Sequence, residues 1–224
     1  MTSKDLTKRI ITSIPLILLI TLSFNYIYIL IITLLIVILI SWIEFNGLIS
    51  KISKFNFNIL FINLFSLIYL IIFSFFVGFG ILQDNFKLNM LYLILTCILS
   101  DVGGLILGKT FKGKKLTKIS PNKTISGSIG SFIFSLIPLL IIWYYYKQTN
   151  DSNFYTRNFS SLIPVSLFLS LICQLGDLFI SYFKRMAKVN DTGSILPGHG
   201  GLLDRIDGVI FVIPAAYIID KIFF

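Results

Sequence analysis

The chain has 224 residues, 56% of them hydrophobic, with 22 Phe, 10 Tyr and a mean hydropathy of +0.90. That is too apolar for a soluble domain of this length, and the stretches between apolar runs leave no room for a separate one. The formal charge of +9 is spread over short loops with no nucleic-acid fold to present it, so anionic headgroups and nucleotide phosphates are better partners than nucleic acid.

Apolar runs lie at 10–24, 26–44, 59–82, 88–108, 127–146, 160–183 and 207–223. Each approaches the length an α-helix needs to cross roughly 30 Å of hydrocarbon. They are apolar on every face, which excludes the short alternating segments of a membrane barrel. The expected fold is all-α: a polytopic helical membrane protein of about seven spans, within a range of six to eight, forming a single membrane domain over 1–224. Lys4, Lys8 and Arg9 ahead of the first run resemble a signal sequence, but no small-residue cleavage pattern follows, so the run reads as a retained span. Cys97 and Cys173 fall inside apolar runs and read as small buried hydrophobes.

Cytoplasmic loops collect Lys and Arg. In the seven-span arrangement all basic residues except Lys87, Lys147, Arg157 and Lys221 fall on one side. This predicts a cytoplasmic amino terminus, and it opens the two polar loops, 109–126 and 184–206, onto the cytoplasm. The abundance of Ile, Phe, Asn and Lys suggests an AT-rich coding genome and a bacterial source, hence an inner-membrane location.

The first loop belongs to a stretch, 100–130, that reads SDVGGLILGKTFKGKKLTKISPNKTISGSIG. Lys109, Lys112, Lys114, Lys115 and Lys118 suit a triphosphate, and equally suit an anionic headgroup surface. Ser120, Lys123 and Thr124 in a turn offer directional donors to phosphate. The order of a P-loop is absent.

Residues 174–208 read QLGDLFISYFKRMAKVNDTGSILPGHGGLLDRIDG and hold the only His of the chain. Asp177 sits within the sixth run, where an ionised carboxylate is costly and by default functional. Helical spacing predicts one stripe of Asp177, Ser181, Lys184, Arg185 and Lys188, with the helix ending at Asp191, Thr192 and Gly193. Pro197, Gly198, His199, Gly200 and Gly201 then form a tight loop whose glycines would let phosphate oxygens approach main-chain amides. Asp204 and Asp207 share a face if the last helix has begun. Oxygen donors with little sulfur or imidazole favour Mg²⁺ over Zn²⁺.

The run Ser181, Lys184, Arg185, Asp191, Gly193, Pro197, His199, Gly200, Gly201, Asp204, Arg205 and Asp207, preceded by Gly176, Asp177 and Leu178, resembles the signature of the phosphatidate cytidylyltransferases. Asp101, Gly108, Lys109, Phe111, Gly113, Ser120, Pro121, Lys123, Thr124 and Gly127 are similar to the family's upstream pattern. Lys8, Arg9, Ile10 and Ile11 and the pair Trp42 and Glu44 resemble it more loosely. Asn190 stands where lysine is usual, and Ser126 where glutamate is usual.

The resemblance implies transfer of cytidylyl from CTP to phosphatidate, giving CDP-diacylglycerol and pyrophosphate. It implies Mg²⁺ held by Asp177 and Asp204, with room for a second, monovalent cation, and supporting roles for Asp207, Lys184, Arg185, Arg205 and His199 in catalysis. Asp101, Lys109, Ser120, Lys123, Thr124, Ser181, Gly200 and Gly201 become expected substrate contacts. Membrane lipids are implied partners, and a homodimer is compatible. Two alternatives remain at this stage: a transporter lined by intramembrane Asp and Arg, against which the clustering of polar groups at one face speaks, and a family member that has lost its activity.

Overall fold

The computed structural model describes residues 3–52, 57–149, 159–198 and 200–223. Among them are seven helices: α1 (Ser3–Asn25), α2 (Ile27–Ile52), α3 (Phe57–Leu82), α4 (Asp84–Phe111), α5 (Ile125–Thr149), α6 (Phe159–Met186) and α7 (Leu203–Phe223). Five are long and apolar enough to cross a membrane, over Ile27–Ile52, Ile59–Leu82, Phe86–Phe111, Ile125–Tyr145 and Leu162–Met186, and a shorter apolar stretch covers Ile11–Asn25. α7 falls outside that group because Asp204, Arg205 and Asp207 charge its first turns and Asp220 and Lys221 its last. The protein is a multi-pass helical membrane protein.

Helix ends follow local chemistry. α4 stops where Lys112 (φ 50°) and Gly113 (φ 111°) turn left-handed. α6 ends in a Schellman motif: Val189 N donates to Lys184 O at 3.0 Å, Lys188 N to Arg185 O at 3.1 Å, and Lys188 takes a φ of 56°. The helix therefore ends at Met186, earlier than the sequence suggested, and Lys188 leaves the predicted stripe because its backbone is no longer helical.

The chain divides into two compact units, residues 1–87 with 182–207 and residues 88–181 with 208–224. In the first, Ile14, Ile17, Leu35, Leu39, Phe61 and Phe65 are exposed, a surface suited to hydrocarbon. Inside, Trp42 Nε1 donates to Asn63 O at 3.1 Å, Asn63 Nδ2 donates to Asn46 Oδ1 at 2.8 Å, and the Phe45 and Phe183 rings meet edge-on at 5.4 Å.

The second unit buries small polar side chains alongside large apolar ones such as Met90, Leu169 and Ile213. Thr96, Ser100, Ser135, Ser166 and Ser170 are all 0% exposed. Ser100 and Ser170 hydroxyls pair at 2.9 Å and Ser166 Oγ donates to Ser135 O at 2.8 Å, which ties α4, α5 and α6 by hydrogen bonds where hydrophobic burial offers no drive. α4 and α5 meet through glycine: a Cβ on Gly103 would lie 2.5 Å from Gly130 O, and one on Gly127 2.8 Å from Gly104 O. Gly104 and Gly108 form the GxxxG spacing that permits this approach. Cys97 and Cys173 are buried thiols outside any disulfide, as expected, and a Cβ on Gly208 would lie 2.5 Å from Cys173 Sγ, so α7 crosses α6 closely.

Candidate active site

In the second unit, the lysine-rich loop folds back on itself before α5. Ile125 N donates to Lys114 O at 3.0 Å, Leu116 N to Lys123 O at 2.8 Å, and Lys123 N closes the turn on Ser120 O at 3.1 Å. Thr117 Oγ1 accepts the Ser120 amide at 3.2 Å. Thr124 caps α5, its hydroxyl accepting the Gly127 amide at 3.1 Å and pairing with Ser126 Oγ at 3.0 Å. Ser126 also donates to the Lys112 carbonyl, so the residue that departs from the family pattern serves to pin the loop.

This turn aims Lys123 at α6. Its ammonium lies 2.5 Å from Asp177 Oδ2, and Ser181 Oγ donates to Asp177 Oδ1 at 3.3 Å. Ser120, Lys123, Thr124, Asp177 and Ser181 are thus brought together or linked in short steps. Lys109 and Asp101 are exposed on α4.

In the first unit the signature residues converge on Asp204, in the first turn of α7. Lys184 Nζ lies 2.7 Å from Asp204 Oδ1, with side-chain exposures of 13% and 5%. Asp204 Oδ2 accepts the amides of Thr192 at 2.8 Å and Gly201 at 3.2 Å and faces Thr192 Oγ1 at 3.0 Å. Burial pushes the Asp204 carboxyl up, but the hydrogen bonds and charge of Lys184 with the two amides outweigh it and hold the group below the usual carboxylate value.

The amino terminus of α7 is capped from outside its own sequence neighbourhood. Glu44 of α2, 4% exposed, accepts the amides of Leu202 at 3.0 Å and Leu203 at 2.8 Å, and the Thr192 hydroxyl at 2.9 Å. A carboxylate there satisfies orphan amides and complements the helix dipole. Neither Glu44 nor Thr192 stood among the expected site residues. The available signal was a lone carboxylate inside the apolar run LISWIEF.

Other expected residues fall around this centre. Arg185 is exposed and donates to Asn190 Oδ1 at 3.3 Å. Arg205 is exposed, Asp207 is buried at 8%, and both have partners. His199 lies outside the described residues. Gly200 N donates to Leu196 O at 3.1 Å and Gly201 N to Asp204. The amides expected to cradle phosphate are therefore spent inside the protein at these two glycines.

Asp177 belongs to one unit and Asp204 to the other, and each is described by its own partners. Among the described residues no three His, Cys, Asp or Glu side chains gather into a group that could hold a metal ion unaided. Asp204 Oδ1 and Asp177 Oδ2 are each engaged by an ammonium, and both are hard oxygen donors of the kind Mg²⁺ takes together with substrate phosphates and water.

A sequence model of the cytidylyltransferase family matches residues 1–223. Similar proteins include the phosphatidate cytidylyltransferase of Rickettsia typhi, 47% identical over 121 residues that make up 52% of this chain and 51% of that one. That of Rickettsia prowazekii is 42% identical over 145 residues, 62% of this chain and 60% of its own. That of Staphylococcus aureus is 46% identical over 126 residues, 56% and 46% respectively. The chain spans about half the length of the curated relatives it matches. With the family match running through both lysine-bearing turns and both carboxylate centres, this chain belongs to the cytidylyltransferase family.

Proposed function

We propose that this chain transfers the cytidylyl group of CTP to phosphatidate, giving CDP-diacylglycerol and pyrophosphate, at the cytoplasmic face of a bacterial inner membrane. The observation that carries this reading is the part-buried Lys184 and Asp204 pair, its carboxylate gripped by Thr192 and Gly201 within the signature run. Family membership and the names of the similar proteins support it. The excess of basic residues on one side of the spans supports the orientation, with the amino terminus in the cytoplasm.

In this reaction a lipid phosphate oxygen forms a bond to the α-phosphorus of CTP while the bond to pyrophosphate breaks, so the protein's task is positioning and charge stabilisation. No protein nucleophile is required. Lys184 has three N–H donors and spends one on Asp204, leaving others for phosphate oxygens. Exposed Arg185 and Arg205 offer planar forks for the phosphates of either substrate. Lys123 and Ser120 on the turn before α5 supply a further ammonium and hydroxyl. Asp177 and Asp204 each offer Mg²⁺ a hard oxygen donor within their own unit, and the cation when bound would neutralise triphosphate charge.

Membranes containing the protein, incubated with labelled CTP, phosphatidate and Mg²⁺, should yield a lipid-soluble cytidine product. Label that stays water-soluble, with CTP unconsumed, would overturn the assignment.

A further inference from the structure

Glu44 is the only glutamate in the chain and is 4% exposed. Among the described residues its partners are two amides and a hydroxyl, with no cation among them. A buried carboxylate held by neutral donors is costly, and the arrangement around it shows what it organises. A Cβ on Gly193 would lie 2.5 Å from Glu44 Oε1, and a Cβ on Gly201 2.6 Å from Glu44 Oε2. Neither glycine has a positive φ, unlike Gly198 and Gly200. Gly193 is therefore required by the approach of Glu44, and Gly201 by the joint approach of the Thr192 hydroxyl and Glu44, while their backbone angles do not demand them.

Thr192 links the two carboxylates. Its hydroxyl lies 2.9 Å from Glu44 Oε2 and 3.0 Å from Asp204 Oδ2, yet it has one proton to give. Thr192 also donates its amide to Asp204 Oδ2. Anything that moves Thr192 moves the donors of Asp204. On that side Asp204 Oδ2 is crowded by three donor groups, while Oδ1 is engaged by Lys184.

We infer that Glu44 is a positioning residue for the cytidylyl-transfer site, gathering Thr192 and the amides of Leu202 and Leu203 so that Asp204 presents Oδ1 to Lys184, whose remaining N–H donors are left for the reacting phosphates. The inference rests on the proposed function for its kinetic consequence and on the loop geometry alone for its structural one. Glu44→Gln keeps the size of the side chain but offers a single acceptor oxygen, so one of the two α7 amides loses its partner.

The test pairs hydrogen–deuterium exchange of the purified full chain in lipid nanodiscs with steady-state kinetics, comparing wild type with Glu44→Gln. The expected result is faster exchange confined to the peptides spanning 192–203, together with a fall in kcat of about tenfold or more and a KM for CTP that changes little. Faster exchange with kcat unchanged overturns the inference, since Glu44 would then be structural only. A lower kcat with exchange unchanged also overturns it, since Glu44 would then act without the loop. If Glu44→Gln exchanges faster throughout its helices, Thr192→Val decides the question, because it deletes only the shared hydroxyl. That variant should lower kcat with KM retained, and unchanged kinetics there would sink the idea. Wild-type protein that forms no lipid-linked cytidine defeats the proposed function, while the exchange result still judges the role of Glu44 in the loop.

Discussion

The Lys123 ammonium lies 2.5 Å from Asp177 Oδ2, with side-chain exposures of 25% and 28%, so the turn before α5 is anchored to the carboxylate of α6. The pair is close but wet enough that its contribution to stability is small, about 1 kcal/mol or less. Asp177→Asn should lower Mg²⁺-dependent product formation by about a hundredfold, and Lys123→Met should lower it by about tenfold. The double variant should be no worse than Asp177→Asn alone, as measured by initial rates with labelled CTP. Additive losses would show that the two side chains act separately.

The Lys184 and Asp204 pair is drier, at 13% and 5% exposure, and should behave differently. Lys184→Met or Asp204→Asn leaves a part-buried charge without its counter-ion and should destabilise the protein by about 1–3 kcal/mol. Combining both should recover much of that loss without restoring activity. Detergent-solubilised melting curves alongside product assays would check this. The Asp204 carboxyl is held below its usual value of 3.8, so the folded state binds this proton less readily than the unfolded chain. Its contribution to stability is therefore complete above about pH 4 and declines as pH falls through the folded-state value.

Glycines in the helices should separate cleanly by what surrounds them. Gly103→Ala drives a Cβ to 2.5 Å from the Gly130 carbonyl and should destabilise by about 1–3 kcal/mol. Gly47, inside α2, has nothing within 4 Å of an added Cβ, so Gly47→Ala should be neutral or stabilise by up to about 1 kcal/mol. Melting temperatures of the two variants should move in opposite directions or, at the least, only the first should fall.

Removal of divalent cations should stop turnover and leave the fold in place. Asp204 is already satisfied by Lys184, Thr192 and Gly201, and Asp177 by Lys123 and Ser181. A chelator should therefore leave the melting temperature nearly unchanged, in contrast to proteins whose folding depends on metal. A large fall would mean that these carboxylates need the cation to remain buried.

Asn190 accepts an exposed hydrogen bond from Arg185 at 3.3 Å. Such a bond contributes little, so Asn190→Ala should keep melting temperature and rate within about twofold of wild type. A larger loss would give this departure from the family pattern a role of its own.

Hydropathy alone determined that the chain is helical and where its apolar helices lie. Those properties are set by the solvent each segment meets, and a one-dimensional pattern carries them. The run that holds Asp177, Lys184 and Asp204 was legible as a resemblance to a family pattern. What only the tertiary structure decided is which donor each carboxylate meets. Lys188 left its helical stripe because a left-handed turn ends α6 at Met186. Thr124 became a helix cap, and the amides of Gly200 and Gly201 found protein acceptors before any phosphate could. Glu44, remote in sequence, reached the start of α7 because two glycines cleared the space its carboxylate occupies. Side-chain partnerships of this kind depend on how closely helix backbones approach, and no linear spacing encodes that distance.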